Sequence, residues 1–179
     1  MRVFSVFEAL SSITSMFFSY ATAAAALVGL WFTFKKMGKP GWKGIIPFYN
    51  LYVLFEEVWE IKEFWRLITY LGICVGTAIV GSVMTALGGV FLGTAYGSEA
   101  VGSAAAGVVL LIIGILVSIG CIVFAVLAIV QEYKLFRRLA FAFGLKQAWA
   151  WGMLFLPYVF FLIIGLHKRI TYLRPVGPV

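Results

Sequence analysis

Aspartate is missing from this 179-residue chain, and asparagine and histidine occur once each, at Asn50 and His167. Without aspartate a Ser-His-Asp triad is excluded, and a glutamate-based one has no placement signal. His167 stands beside Lys168 and Arg169, where a neighbour of lipid headgroups is a plainer role than base or ligand. No phosphate-binding loop or dinucleotide fingerprint occurs, because the glycines lie in apolar runs without a strand-turn-helix context. Charge is scarce as well. Charged residues make up 12% of the chain and apolar ones 63%, against about 25% and about 45–50% in ordinary soluble domains. Such a chain cannot cover a globular surface with polar groups, so lipid is its expected solvent. The two cysteines, Cys74 and Cys121, have no second ligand at metal spacing and form no disulfide framework. Buried small hydrophobes are their default, although similar depth on neighbouring helices leaves a disulfide open. No cofactor and no metal are expected.

Long apolar runs are what the chain has instead. They predict an all-α polytopic membrane bundle of about four transmembrane helices, forming one domain over 1–179. The expected spans are 10–34, 67–94, 101–130 and 147–166. The first is too long for the apolar core of a cleaved signal, about 7–15 residues, and it ends in the stop-transfer pair Lys35-Lys36. Residues 40–66 do not read as a span. Their apolar part, Ile45 to Phe55, is short and contains Pro47 and Asn50, which suits an interfacial or re-entrant segment. From Leu51 to Trp65 the apolar residues recur at helical spacing, with Glu56, Glu57, Glu60 and Glu63 on the other side. This predicts one helix lying in the interface. Pro47 cannot donate a backbone hydrogen bond, and Tyr49, Asn50 and Tyr52 are candidates to satisfy the backbone there. The expectation is a buried re-entrant element packed against the segment containing Pro157. Glu56, Glu60 and Glu63 offer hard oxygens to a divalent cation, but a solvated helix face is the simpler reading.

The net charge is +7, from 14 Lys and Arg against seven Glu. Nucleic acid is not the implied partner, because the basic residues flank apolar spans. Lys35, Lys36, Lys39, Lys43, Arg137 and Arg138 read as a membrane-surface set facing lipid headgroups. The connector between the second and third spans has no basic residue. The positive-inside bias therefore puts the two basic connectors in the cytoplasm and the N-terminus outside. Four full spans would leave the tail outside too, although it carries Lys168, Arg169 and Arg174. Either the tail breaks the rule, the reading adopted here, or the segment containing Pro157 does not fully cross.

Small residues at four-residue spacing mark helix-packing faces: Gly72 and Gly76, Gly89 and Gly93, Gly114 and Ser118. Packing within the chain is the first expectation and packing between subunits the second. Ser11, Ser12, Ser15, Ser19 and Thr22 make a hydroxylated stripe, which suits either a watered path or bonds to carbonyls of the same helix. No ionisable residue lies midway along the first three spans, which disfavours an ion-coupled carrier.

Lys35 to Asn50 reads KKMGKPGWKGIIPFYN, and Leu139 to Gly144 with Gly152 to Phe160 forms a second block. Both resemble an uncharacterised bacterial family of small integral membrane proteins carrying a GKPGW…IPFYN segment after the first helix. The resemblance covers roughly a quarter of the chain, and it implies a multi-pass protein of the bacterial cytoplasmic membrane. Some members are labelled signal-peptidase-like. The residues here do not support that activity, since no lysine is placed to activate Ser15. This chain also departs from the family pattern in the acidic stretch from Glu56 to Arg66 and in the length of its second and third spans. The expected function is non-enzymatic, acting through helix–helix assembly with a second copy or another membrane protein. The alternatives are a small channel or transporter for a neutral solute and, after it, a lipid-interacting enzyme.

Overall fold

In the computed structural model, which describes residues 2–95 and 101–173, the chain is helical, with no strand among the described residues. Among the described residues six α-helices follow in order: α1 (Arg2–Lys36), α2 (Tyr49–Val58), α3 (Ile61–Ala95), α4 (Val101–Ala142), α5 (Ala148–Phe155) and α6 (Pro157–Leu166). Segments of α1, α3 and α4 are long and apolar enough to cross a membrane. The loop expected outside the membrane, around Glu99, and Arg174 in the tail lie outside the described residues.

The chain divides into two units, one running to Ile61 and resuming at Tyr133, the other spanning Lys62–Glu132. In the first, α1 and α4 end in the same way. Gly38 has φ +74° and Gly144 φ +67°, the left-handed conformation that glycine adopts without a β-carbon clash. Lys39 N donates to Phe34 O and Gly38 N to Lys35 O; Leu145 N donates to Ala140 O and Gly144 N to Phe141 O. These are paired Schellman closures, which satisfy the last carbonyls of each helix and turn the chain sharply. After Gly38 a 3-10 turn, Gly41–Gly44, lies back on α1. A β-carbon at Gly41 would strike the Trp31 ring, and one at Gly44 would crowd Leu30 O.

α6 packs along the end of α1 with backbones nearly touching. A β-carbon at Gly29 would lie 2.5 Å from Leu162 N, and one at Gly165 2.8 Å from Gly29 O. Thr33 Oγ1 donates to Phe161 O at 3.2 Å across this seam. Contacts advance together along both helices, so α6 runs parallel to α1. It also runs with the last turns of α4: Phe136 meets Phe161, Phe143 meets Tyr172, and Leu173 N donates to Ala142 O.

Between these two parallel runs, α5 must travel the other way. Gln147 Nε2 donates to Tyr133 OH, and Trp151 lies 4.4 Å from Tyr133, centroid to centroid. The segment 147–166, expected as one straight span, is therefore broken. Leu156 leaves helical geometry at φ −133°, ψ 58°, and Pro157 starts α6 at a position where its missing N–H costs nothing. In a straight helix Trp149 and Phe160 would be separated by about 16 Å of rise, yet their ring centroids lie 5.4 Å apart. Gly152 sits under the Phe160 ring, where a β-carbon would collide. α5 and α6 form a hairpin.

The core of this unit brings together Phe34 of α1, Leu54 and Phe55 of α2, Leu135 and Leu139 of α4, Met153 of α5 and Ile164 of α6, all fully buried. Three other expectations change. The helix expected from Leu51 to Trp65 is two helices, interrupted at Trp59 (φ −147°, ψ −138°) and Glu60. The span expected from 67 begins at Ile61, and that expected to end at 130 continues to Ala142, so charged stretches read as connectors belong to the helices. Pro47 and Phe48 are exposed rather than buried against the Pro157 segment.

The second unit is an antiparallel pair, the end-to-end partner of α3 within 62–132 being the first three-quarters of α4. Gly81 approaches Ser118 and Gly114, Gly114 approaches Thr85, and Gly88 approaches Gly107 and Leu111. Further along, Cys74 faces Cys121, Tyr70 meets Phe124, and Gln131 Nε2 donates to Glu63 Oε2. Partners step backward along α4 as they step forward along α3.

Candidate functional site

The richest polar arrangement gathers where α1, α2, α4 and α6 end. Lys36 Nζ donates to three carbonyls, those of Ile164 and His167 at 2.7 Å and Ile170 at 3.0 Å. An ammonium has three protons, and here each finds a carbonyl left without an intrahelical donor at the end of α6 or in the segment after it. The cation also meets the negative end of the α6 dipole. Lys39 pairs with Glu57 at 2.8 Å, and Tyr172 OH donates to the other Glu57 oxygen at 3.3 Å. Its hydrogen bond to Glu57, and then that carboxylate's charge, hold the Lys39 ammonium above the ordinary lysine pKa. One glutamate on α2 thus ties the turn after α1 to the tail.

The other four members of the expected membrane-surface set lie over aromatic faces. Lys35 is 5.5 Å from the Trp31 ring centre, Arg137 5.7 Å from Phe141 and Arg138 4.6 Å from Trp59. Lys43 lies 6.0 Å from Trp42 and 5.7 Å from Tyr49. Such pairs keep the cation wet while the ring faces apolar surroundings, a pattern suited to a headgroup region. Trp42, Tyr49 and Tyr52 stack in sequence at 6.1 Å spacing. Asn50 holds the turn with both ends of its amide, accepting from Leu51 N at 2.6 Å and donating to Gly44 O at 3.4 Å. Trp42, Ile45, Ile46 and Phe48 project from this turn, each at least two-fifths exposed. The Pro47 segment is thus an outward apolar knob in a basic and aromatic collar.

The acidic residues do not converge. Glu56 and Glu60 are exposed, and Glu63 is engaged by Arg66 Nη1 at 2.7 Å and by Gln131. Among the described residues no three His, Cys, Asp or Glu side chains gather at metal-binding distance. Of the small residues, Gly114 and Ser118 pack against α3, whereas β-carbons at Gly72, Gly76, Gly89 and Gly93 would meet nothing within 4 Å. Gly81, Gly88 and Gly107, which also approach the facing helix closely, are not singled out by the sequence pattern. Gly81 and Gly88 are seven residues apart on one face of α3, a spacing that a heptad search would have found.

Along the other half of α1 the hydroxyls of Ser11, Ser12, Thr14, Ser15 and Thr22 are satisfied locally. Ser11 and Ser12 donate to Glu8 O, Ser15 to Ser12 O, and Thr22 to Phe18 O or Ser19 O, at 2.8–3.0 Å. A shallow groove between the Leu10, Ser11, Thr14, Ser15 and Phe18 side chains runs along this stretch.

These features define the class: a membrane-embedded helical protein whose polar chemistry sits at helix ends. Comparison with family models, curated proteins and solved structures gives no match for the chain.

Proposed function

We propose that the protein is a non-enzymatic membrane module that works by lateral helix–helix assembly, with a second copy or with another membrane protein. The observation that carries this reading is the half of α1 from Leu10 to Leu27. Ser11, Ser15 and Ser19 repeat there at four-residue spacing while Ile13, Phe17 and Tyr20 stand at least 65% exposed. The Ser11 and Ser15 hydroxyls bond within their own helix, and with Ser19 they leave a small, shallow face that another backbone can approach closely. The uncovered Gly72, Gly76, Gly89 and Gly93 faces of α3 support the same reading. The neutral-solute channel drew on the hydroxyl stripe, and local satisfaction of those hydroxyls weakens it.

The topology that best fits this module has three crossings, α1, α3 and α4, and an α5–α6 hairpin that enters the bilayer and returns. Lys168 and Arg169 then share a side with Lys35, Lys36, Arg137 and Arg138, and the conflict over the basic tail disappears. The positive-inside bias of the basic connectors supports a cytoplasmic location for that side and an external N-terminus.

Crosslinking in membranes and mass measurement in native lipid test the assembly; a strictly monomeric protein would overturn it. Topology is tested with a single reporter cysteine at Leu173 in a background free of Cys74 and Cys121. A membrane-impermeant reagent should label it in inverted vesicles and not in intact cells. Labelling from outside the cell would restore four full crossings.

A further inference from the structure

The polar groups outside the helix-end cluster include one reactive pair. Cys74 Sγ and Cys121 Sγ lie 3.2 Å apart on facing turns of α3 and α4, and the Cys74 thiol is also 3.5 Å from Cys121 O. Both are free thiols and both are partly accessible. The sulfurs need to close by only about 1 Å to reach a disulfide's bond length of about 2 Å. The approach to them is uncovered: β-carbons at Gly72, Gly76 and Gly120 would meet nothing within 4 Å, and Val75 and Ile122 are 58% and 62% exposed.

Depth decides what can reach them. Cys74 lies eight residues past Arg66 along α3, a rise of about 12 Å. On the reading that α3 crosses the bilayer, this puts the sulfurs within hydrocarbon. Charged, water-borne disulfides such as oxidised glutathione are kept out by the cost of bringing ions into lipid. A neutral, lipid-soluble two-electron oxidant is not.

We propose that Cys74 and Cys121 form an oxidisable dithiol whose electron acceptor is a membrane quinone. In the step, both S–H bonds break and one S–S bond forms. The two electrons and two protons reduce the quinone to quinol, so atoms and charge balance without another reactant. The product cross-links α3 to α4 and fixes their register at this level.

The test uses the full chain in liposomes, reduced beforehand, with a fully substituted decyl-chain benzoquinone as the probe, which resists direct addition of thiols. Alkylation followed by intact mass should count two free thiols before treatment and none after. The oxidised protein should stay monomeric in sodium dodecyl sulfate without reductant, and quinol should appear in equal amount. Cys121→Ser should keep its single thiol. Oxidised glutathione at the same concentration should act at least tenfold more slowly. Persistence of both thiols, a quinone adduct, or cross-linked dimers as the main product would each overturn the proposal. Equal rates with glutathione would overturn the assignment of a lipid-borne acceptor. Because the wild-type chain is the principal sample, a folding defect in the variant leaves the result readable.

Discussion

The two halves of α1 share a backbone and differ in almost everything else. From Gly29 to Lys36 the helix spends its small and polar residues on a neighbour: Gly29 admits the α6 backbone, Thr33 bonds Phe161 O, and Lys36 gathers three carbonyls. From Leu10 to Leu27 equally small and polar residues make no hydrogen bond beyond their own helix and stay largely exposed. Residue type therefore does not decide whether a small residue packs. What decides it is whether another helix is positioned to use the space, and the Schellman turn at Gly38 and the break at Leu156 put α6 beside only the second half.

That contrast can be broken from either side. The largest effect should come from Gly165→Leu, which drives a side chain into Gly29 O and Phe32; overpacking of this kind costs about 3 kcal/mol. The melting temperature in detergent should fall clearly. Ser19→Leu on the open half should change monomer stability by no more than about 0.5 kcal/mol while reducing crosslinking in membranes. Lys36→Met comes next, since it leaves three carbonyls without their cation; about 2 kcal/mol and faster proteolysis after His167 are expected. Thr33→Val should cost about 1 kcal/mol by the same melting assay, because Phe161 O loses a donor and shape is kept.

The weakest of these helix-end contacts pairs Lys39 with Glu57. A lysine whose pKa is raised on folding contributes its full stabilisation below the unfolded value, and the contribution fades as pH rises through the folded one. Glu57→Gln should therefore lower stability at neutral pH, and the difference from wild type should shrink above about pH 10. The pair is partly exposed and screened, so the difference should stay under about 1 kcal/mol.

The lipid-facing character and the three long helices were legible in the residues, because hydropathy reports solvent directly. The hairpin was not. Residues 147–166 contain no charge and are long enough for one crossing, and Pro157 is compatible with either a kinked span or a reversal. Only contacts distant in sequence, Gly29 with Leu162 and Tyr133 with Trp151, distinguish the two. The continuous helix read from Leu51 to Trp65 failed for a related reason: helical spacing persists in register across the two-residue interruption at Trp59 and Glu60. Among the glycines, four-residue spacing found Gly114 with Ser118 but could not separate faces that pack from faces left open.

The reversal at Leu156 also bears on how the protein is made. If residues 147–166 crossed, the insertion machinery would have to carry His167, Lys168 and Arg169 through the membrane. A hairpin sinks from the side on which it was synthesised, leaving both its ends there. Lys36, at the end of α1, then serves as the latch that holds α6 in place.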